Sequence, residues 1–170
     1  LKLVFNGGRI LNGKIRSNYT RCIFNSEQAF VNVEILNQFQ NEYSKPEWFG
    51  AKMDGTDDSF AVNQALKFSS KVILSGNRTM TVKKPIIVNS GNTIEADKNF
   101  EIKAADYSNC TMLKNKHIDI PHDAINPVVY PQGFKRDKNI VIRGGIWNGN
   151  GLKQNRADNP AYGDMPDVIG

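Results

Sequence analysis

The chain has 170 residues, with 22 Lys and Arg against 17 Asp and Glu, 14 glycines and two cysteines. This length is enough for one domain with a hydrophobic core, and no apolar run reaches the roughly 20 residues that a membrane-spanning helix needs. Cys22 and Cys110 form neither a disulfide framework nor a metal-ligand spacing, and the short basic runs indicate a solvated surface rather than a nucleic-acid site.

The first 36 residues contain short β-type runs that are entered through Asn or Gly. Asn-Gly pairs such as Asn12-Gly13 are strong turn signals, because both residues tolerate positive φ. This pattern predicts an irregular β-repeat unit over residues 1–36, although a plain β-meander fits these residues equally well. Residues 37–46 are polar, end in Pro46 and are predicted to be a connector.

The stretch from Trp48 to Leu66 combines an aromatic run, an acidic turn and a short amphipathic pattern. The turn, residues 54–59, offers side-chain oxygens for the free N–H groups at a helix start and negative charge for the positive end of its dipole. Thr56, Asp57 and Asp58 are therefore predicted to cap a helix near residues 57–68. Its apolar face is predicted to contain Phe60, Ala61, Val62, Ala65 and Leu66.

Strands of three to five residues are predicted after the helix, at 71–74, 80–82, 86–88, 93–95 and 100–103, separated by Asn, Gly or Pro turns. The rhythm then breaks in a long loop excursion near residues 104–137 and resumes at 139–142. A β-sandwich would be the alternative, but strands this short would bury little area between two sheets.

The string FGA-K-x-DG-TDD at residues 49–58, with the helix pattern behind it, resembles the N-terminal signature of the pectate-lyase-like superfamily. The turn at residues 142–151 is similar to the GG-x-DGNG turn of its polygalacturonase-like members, with Asn148 where Asp is common; the acidic turn also lacks one residue that the family often has. The resemblance implies an all-β fold: a right-handed single-stranded parallel β-helix with a short capping helix, whose first rungs span residues 47–170.

For function, the resemblance implies a carbohydrate-directed protein whose partner is a polysaccharide, with no cofactor. The first hypothesis is a secreted or extracytoplasmic bacterial glycoside hydrolase or lyase. The family's catalytic motifs do not follow Gly151, so the catalytic rungs are expected beyond residue 170 and this chain alone is predicted to be inactive. The alternatives are a trimeric phage tailspike or tail fibre of the virion tail, and a non-catalytic glycan-binding protein.

Two groups of residues could carry chemistry without that resemblance. Asp57 and Asp58 form a carboxylate pair, but capping explains them at a helix start, and no catalytic residue is predicted. His117 and His122 have Asp119 and Asp123 nearby, yet no third imidazole or thiolate is close, so no metal site is predicted.

Aromatic residues in or near the excursion could stack on the apolar faces of sugars. The candidate glycan contacts are Tyr130, Phe134, Trp147 and Tyr162. For Trp147, packing against the protein is the favoured alternative.

Overall fold

The computed structural model describes residues 1–17, 19–25, 28–117 and 137–154. Within these residues the chain forms twelve short β-strands, one α-helix and two short 3₁₀ helices, Pro46–Phe49 and Gly151–Lys153. The strands are β1 (Lys2–Phe5), β2 (Ile10–Ile15), β3 (Arg21–Phe24), β4 (Phe30–Ile35), β5 (Lys71–Leu74), β6 (Thr79–Val82), β7 (Ile86–Val88), β8 (Thr93–Ala96), β9 (Glu101–Ala104), β10 (Leu113–Asn115), β11 (Val141–Arg143) and β12 (Ile146–Asn148). The helix, α1, is Ser59–Phe68.

Every strand pair in the described residues is parallel. β1 pairs with β3 and β2 with β4, while β5, β8 and β11 form one three-stranded sheet, β6, β9 and β12 form another, and β7 pairs with β10. Thr79 lies beside Glu101, 22 residues later in the chain. Parallel neighbours need such long connections, because a two-residue hairpin joins only antiparallel strands.

Aromatic rings fill the core between the first four strands and α1. Phe68, which is fully buried at the end of α1, stacks on Phe39 with ring centroids 4.4 Å apart and meets Phe49 edge-on at 5.6 Å. Phe30 stacks on Phe49 at 5.1 Å and lies 6.1 Å from Phe68. Offset and edge-on pairs of this kind add to the energy of burial, so this cluster holds α1 against the N-terminal strands.

The helix is joined to its neighbours by hydrogen bonds to two of its polar side chains, the buried Gln64 and the partly buried Asn63. The Gln64 Oε1 atom accepts the Ile35 N–H of β4 at 2.8 Å, and Asn63 Oδ1 accepts the Ile87 N–H of β7 at 2.8 Å. A ten-residue helix is marginal on its own, so these contacts and the aromatic cluster determine its position.

The turn between β11 and β12 requires glycine at its first position. Gly144 has φ of +71°, and a Cβ atom there would lie 2.0 Å from the Ala96 carbonyl oxygen. The last two strands can approach β8 and β9 this closely only because residue 144 has no side chain.

The prediction of one continuous parallel β-helix is wrong. The described residues form five separate sheets of two or three strands, together with one α-helix. Among the described residues, the β-type pairing between the chain before α1 and the later sheets is limited to the isolated bridges Ser44–Val72 and Asp57–Thr81. Much of the chain between β4 and β5 is helical, and a helix pairs its backbone groups internally, so it cannot continue a strand ladder.

The helix itself lies where the sequence predicts it, at Ser59–Phe68. In the part of the chain that the structure describes, no helix has the length and apolar character of a membrane span.

Candidate functional site

The acidic turn before α1 uses its carboxylates to hold backbone together. Asp57 Oδ1 accepts the N–H groups of Ser59 and Lys83, both at 3.0 Å, and also the Ser59 hydroxyl. Burial pushes the pKa of Asp57 upward, but the hydrogen bonds from Ser59 and Lys83 outweigh it and lower the pKa below its ordinary value. Asp57 therefore connects the start of α1 to the end of β6.

Asp58 is the N-cap residue of α1, but its carboxylate does not bond to the helix. It accepts the Lys52 N–H at 2.8 Å and the Met53 N–H at 3.2 Å, and its own N–H donates to the Thr81 carbonyl at 2.8 Å. Burial raises the pKa of Asp58 despite these bonds. The predicted capping bond from the Asp58 side chain is thus absent, and the carboxylate folds the preceding loop instead.

Thr56 does not cap α1 either. Its N–H and its hydroxyl both donate to Asp54 Oδ1, at 3.0 and 2.6 Å. These bonds form a small exposed turn of their own, of the kind that Asp side chains favour. All three residues predicted as caps therefore stabilise the loop or its connection to β6, and only Asp57 bonds to the first residue of the helix.

His117 lies against a carboxylate that comes from the far side of the excursion. Its Nδ1 atom is 3.1 Å from Asp137 Oδ1, and the Ser90 N–H and hydroxyl also donate to that oxygen at 3.1 Å. The Asp137 side chain is almost fully buried. His122, Asp119 and Asp123 lie outside the described residues, and the residues that are described contain no group of three side chains able to hold a metal ion.

Of the four candidate glycan contacts, only Trp147 lies within the described residues; Tyr130, Phe134 and Tyr162 lie outside them. Trp147 is the register partner of the buried residue Ile102, packs partly buried against the core, and donates its indole N–H to the Gly144 carbonyl at 3.3 Å. These contacts favour the packing role over sugar stacking.

A different aromatic residue borders a cleft. Phe60, in the first turn of α1, remains 49% exposed, although its spacing predicts that it belongs to the buried face. It lies beside the outer surface of β2 and β4, and together they form an open cleft of about 380 Å³. The cleft is lined by Gly13, Lys14, Asn32, Glu34 and Phe60.

The polar wall of the cleft is a charged group with a single carboxylate. Lys14 and Glu34 are register partners on β2 and β4, and Lys14 Nζ lies 3.1 Å from Glu34 Oε2. Lys67 of α1 approaches the other oxygen at 3.7 Å. The hydrogen bond and the charge of Lys14 hold the pKa of Glu34 below its ordinary value, so this carboxylate is ionised at neutral pH.

The spacing along α1 explains why one helix contributes to both the cleft and its wall. Phe60, Gln64 and Lys67 follow each other at intervals of four and three residues, so they lie on the same face of the helix. The bond from Ile35 N–H to Gln64 turns that face toward β4. This places the Phe60 ring and the Lys67 ammonium along β4.

The groups of the cleft are suited to binding and not to general acid catalysis near pH 7. An ionised carboxylate, two ammonium groups and the Asn32 amide offer both hydrogen-bond donors and acceptors. Glu34 is unsuited to be a general acid near pH 7, because a catalytic acid needs a raised pKa and that of Glu34 is lowered. Gly13 leaves the strand surface bare, since a Cβ atom there would meet nothing within 4 Å.

Sequence reasoning missed this cleft. The signal available was an aromatic residue at the second position of a short helix, followed by Lys67 seven residues later. Its other wall comes from residues of β2 and β4 that precede Phe60 by 26 to 47 positions, and nothing in the sequence indicates that these strands lie against the helix.

Comparison with protein-family models, with curated proteins and with solved structures finds no match to this chain. The resemblance to the pectate-lyase-like superfamily therefore remains a prediction from residues 49–58 and 142–151.

Proposed function

We propose that this chain is a carbohydrate-directed protein and that the Phe60 cleft binds a sugar unit of a glycan. The observation that carries the proposal is the half-exposed Phe60 ring beside the charged group of Lys14, Glu34 and Lys67. A sugar ring has an apolar C–H face that packs on an aromatic ring and hydroxyl groups that need both donors and acceptors. The cleft supplies both kinds of contact.

The dimensions of the cleft agree with this ligand class. Small-molecule sites usually have volumes of roughly 300–1,000 Å³, and this cleft, at about 380 Å³, lies near the lower end. It is open to solvent, so it suits one or two units of a longer chain better than an enclosed small ligand. Its lining residues come from three different elements, β2, β4 and α1, which hold one another through the Gln64 and Glu34 contacts.

Binding is the form of the proposal that these residues support. Asp57 and Asp58, the adjacent carboxylates, are engaged in bonds to backbone N–H groups, and Glu34 is held ionised between two lysines. Hydrolase or lyase activity and a place in a phage tail remain predictions of the resemblance.

A glycan array followed by calorimetric titration of the best ligand tests the proposal. We expect Phe60→Ala to weaken binding about fivefold to seventyfold and Glu34→Gln to weaken it about fivefold, the latter equivalent to about 1 kcal/mol, the usual contribution of one hydrogen bond. Tyr107→Ala is the matched control, since Tyr107 is 69% exposed but does not line the cleft, and it should bind like the original chain. Equal binding by Phe60→Ala, or no glycan bound at all, would overturn the proposal.

A further inference from the structure

The net positive charge of this chain originates entirely in its first 25 residues. Five basic residues lie there, and the first acidic residue is Glu27; the remaining 17 Lys and Arg are matched by the 17 Asp and Glu. The five are exposed in the structure: Lys2, Arg9, Lys14, Arg16 and Arg21. Among the described residues, only Lys14 of these five forms an ion pair. The charge is therefore not spread along the chain, as its short basic runs suggest, but concentrated on the N-terminal strands.

Two of these cations lie side by side, and neither forms an ion pair with another described residue. Lys2 and Arg21 are register partners on β1 and β3, and both are exposed. Like charges directly opposite each other on neighbouring strands destabilise a sheet. An anionic group placed beside them would remove that repulsion.

The core is left partly uncovered at the same end of the molecule. Leu3 of β1 faces the core beside Cys22, yet it is 37% exposed while Cys22 is 3% exposed. Likewise Ile10 of β2 is only partly buried, whereas its partner Phe30 on β4 is 1% exposed. At these two positions burial is lower on β1 and β2 than on their partner strands, whereas at the end of β1 Phe5 is 5% exposed and its partner Phe24 is only partly buried.

The outer edge of β1 also has unpaired backbone groups. The Arg21 N–H donates to the Leu1 carbonyl and the Asn25 N–H to the Phe5 carbonyl, both at 3.0 Å. Since alternate residues of a strand point to opposite neighbours, Lys2 and Val4 turn their N–H and carbonyl groups to the open side. Within the described residues, β1 has no partner strand on that side.

The inner strand β3 shows by contrast how this protein treats a covered edge. There the Asn41 side chain accepts the Cys22 N–H and donates to the Cys22 carbonyl, both at 2.8 Å, and the Gln40 N–H donates to the Thr20 carbonyl at 2.8 Å. The Asn41 amide thus satisfies the backbone N–H and carbonyl of Cys22 that point away from β1, as a neighbouring strand would do. No such substitute covers Lys2 and Val4 in the described structure.

We propose that the edge of β1 binds an extended acidic peptide segment of a partner protein, which adds to β1 as a further parallel strand. The register defines its pattern: an acidic residue beside Lys2, apolar residues beside Leu3 and Phe5, and any residue beside Val4. A polyanion such as an acidic glycan would neutralise the basic residues, but it would neither pair with the open backbone groups of β1 nor cover Leu3. A second copy of this chain would bring the same five cations to the interface, which like-charge repulsion disfavours.

Peptide titration followed by NMR tests this proposal, which is independent of the Phe60 cleft. The probe is an eight-residue peptide that repeats Glu-Val-Ser-Val twice; the control peptide has the same composition in blocks, Glu-Glu-Ser-Ser-Val-Val-Val-Val. The alternating peptide should shift and protect the Lys2 and Val4 amides, and the block peptide should not. Val4→Pro, which removes an outward N–H, should weaken binding by at least about fivefold, whereas Val4→Thr should stay within about twofold of the original chain.

Charge variants and a polyanion distinguish the alternatives. The double variant Lys2→Glu with Arg21→Glu should abolish peptide binding, and Lys83→Glu with Lys84→Glu, two exposed lysines elsewhere, should leave it unchanged. Retained exchange protection of the Asn25 amide, which donates to the Phe5 carbonyl of β1, shows that the β1–β3 pair is intact in each variant. The proposal is overturned if the block peptide binds equally, if heparin binds and Val4→Pro does not affect the peptide, or if sedimentation shows dimers formed through this edge.

Discussion

Phe60 and Phe68 are the same residue type on the same helix, and they should separate ligand binding from stability when each is changed to Ala. Phe60 is 49% exposed beside the cleft, whereas Phe68 is fully buried among aromatic rings. A Phe side chain buries about 150–250 Å² when it is fully covered, so roughly 100 Å² of Phe60 remains free for a ligand. A sugar ring covering half to all of that area gains about 1–2.5 kcal/mol at 25 cal/mol per Å².

The expected loss of affinity in Phe60→Ala is therefore about fivefold to seventyfold. The same change should cost only about 1–2 kcal/mol of unfolding free energy, because half of the ring is already in water and Ala is the better helix former. Phe68→Ala should cost about 3–5 kcal/mol, as is usual for a large buried aromatic residue that leaves a cavity.

Urea denaturation followed by far-UV circular dichroism measures both stabilities, and calorimetric titration with the array ligand measures affinity. The reasoning fails if the two variants are destabilised equally, because the burial of the two rings would then not control the cost. It also fails if Phe60→Ala binds the array ligand as tightly as the original chain under conditions in which the variant is fully folded.

Three further predictions concern residues outside the cleft. Asp57→Ala should lower the free energy of unfolding by about 1–3 kcal/mol at pH 7. Because the pKa of Asp57 is lower in the folded than in the unfolded protein, this difference is present above about pH 4 and should shrink as the pH falls through the folded-state pKa. Denaturation at pH 7 and at pH 3 measures the change. Gly144→Ala should cost at least about 2 kcal/mol, because its Cβ would collide with a backbone carbonyl, whereas Gly151→Ala meets open space and should change the melting midpoint little. Burial raises the pKa of Cys22 to about 12, so a disulfide reagent at pH 8 should modify the half-buried Cys110 in the native protein and reach Cys22 only after unfolding; equal modification rates in the native state would contradict this.

The short strands after the helix are the part of the fold that the sequence predicts best. The predicted runs at 71–74, 86–88 and 93–95 agree with β5, β7 and β8 to within one residue. The reason is local: Asn, Gly and Pro between these runs fix where an extended segment can begin and end. Which strands pair with each other could not be predicted in the same way. β11 and β12 pair with β8 and β9, which lie before the long excursion in the chain, and no local sequence signal indicates a partner at that separation.

The prediction of a continuous β-helix was wrong although most of the strands on which it was based are present. Parallel pairing at an offset of 22 residues is present between β6 and β9, but the chain between β4 and β5 forms a 3₁₀ helix and α1 rather than further strands. The acidic turn and the apolar spacing behind it located the helix correctly. The resemblance at residues 49–58 did not establish that the strands before the helix join the sheets after it. That depends on backbone pairing over long separations, which the signature does not contain.

Within α1 the sequence pattern failed at residue 60 for a specific reason. Periodicity assigns apolar residues to the core, but β4 presents an unpaired Ile35 N–H to the helix, and only a polar side chain can satisfy it. Gln64 takes that buried position, with 4% exposure. Phe60, one turn earlier on the same face, extends past the contact and remains half exposed beside Lys14 and Glu34.

The acidic turn and the cleft are thereby parts of one arrangement. Asp57 and Asp58 bind backbone of β6 and of the loop before the helix, so they determine where α1 begins and how its first turn is oriented. Phe60 lies in that first turn. The carboxylates that invite a catalytic interpretation from sequence act instead as positioning groups, and their effect on a glycan would pass through the placement of the Phe60 ring over β2 and β4.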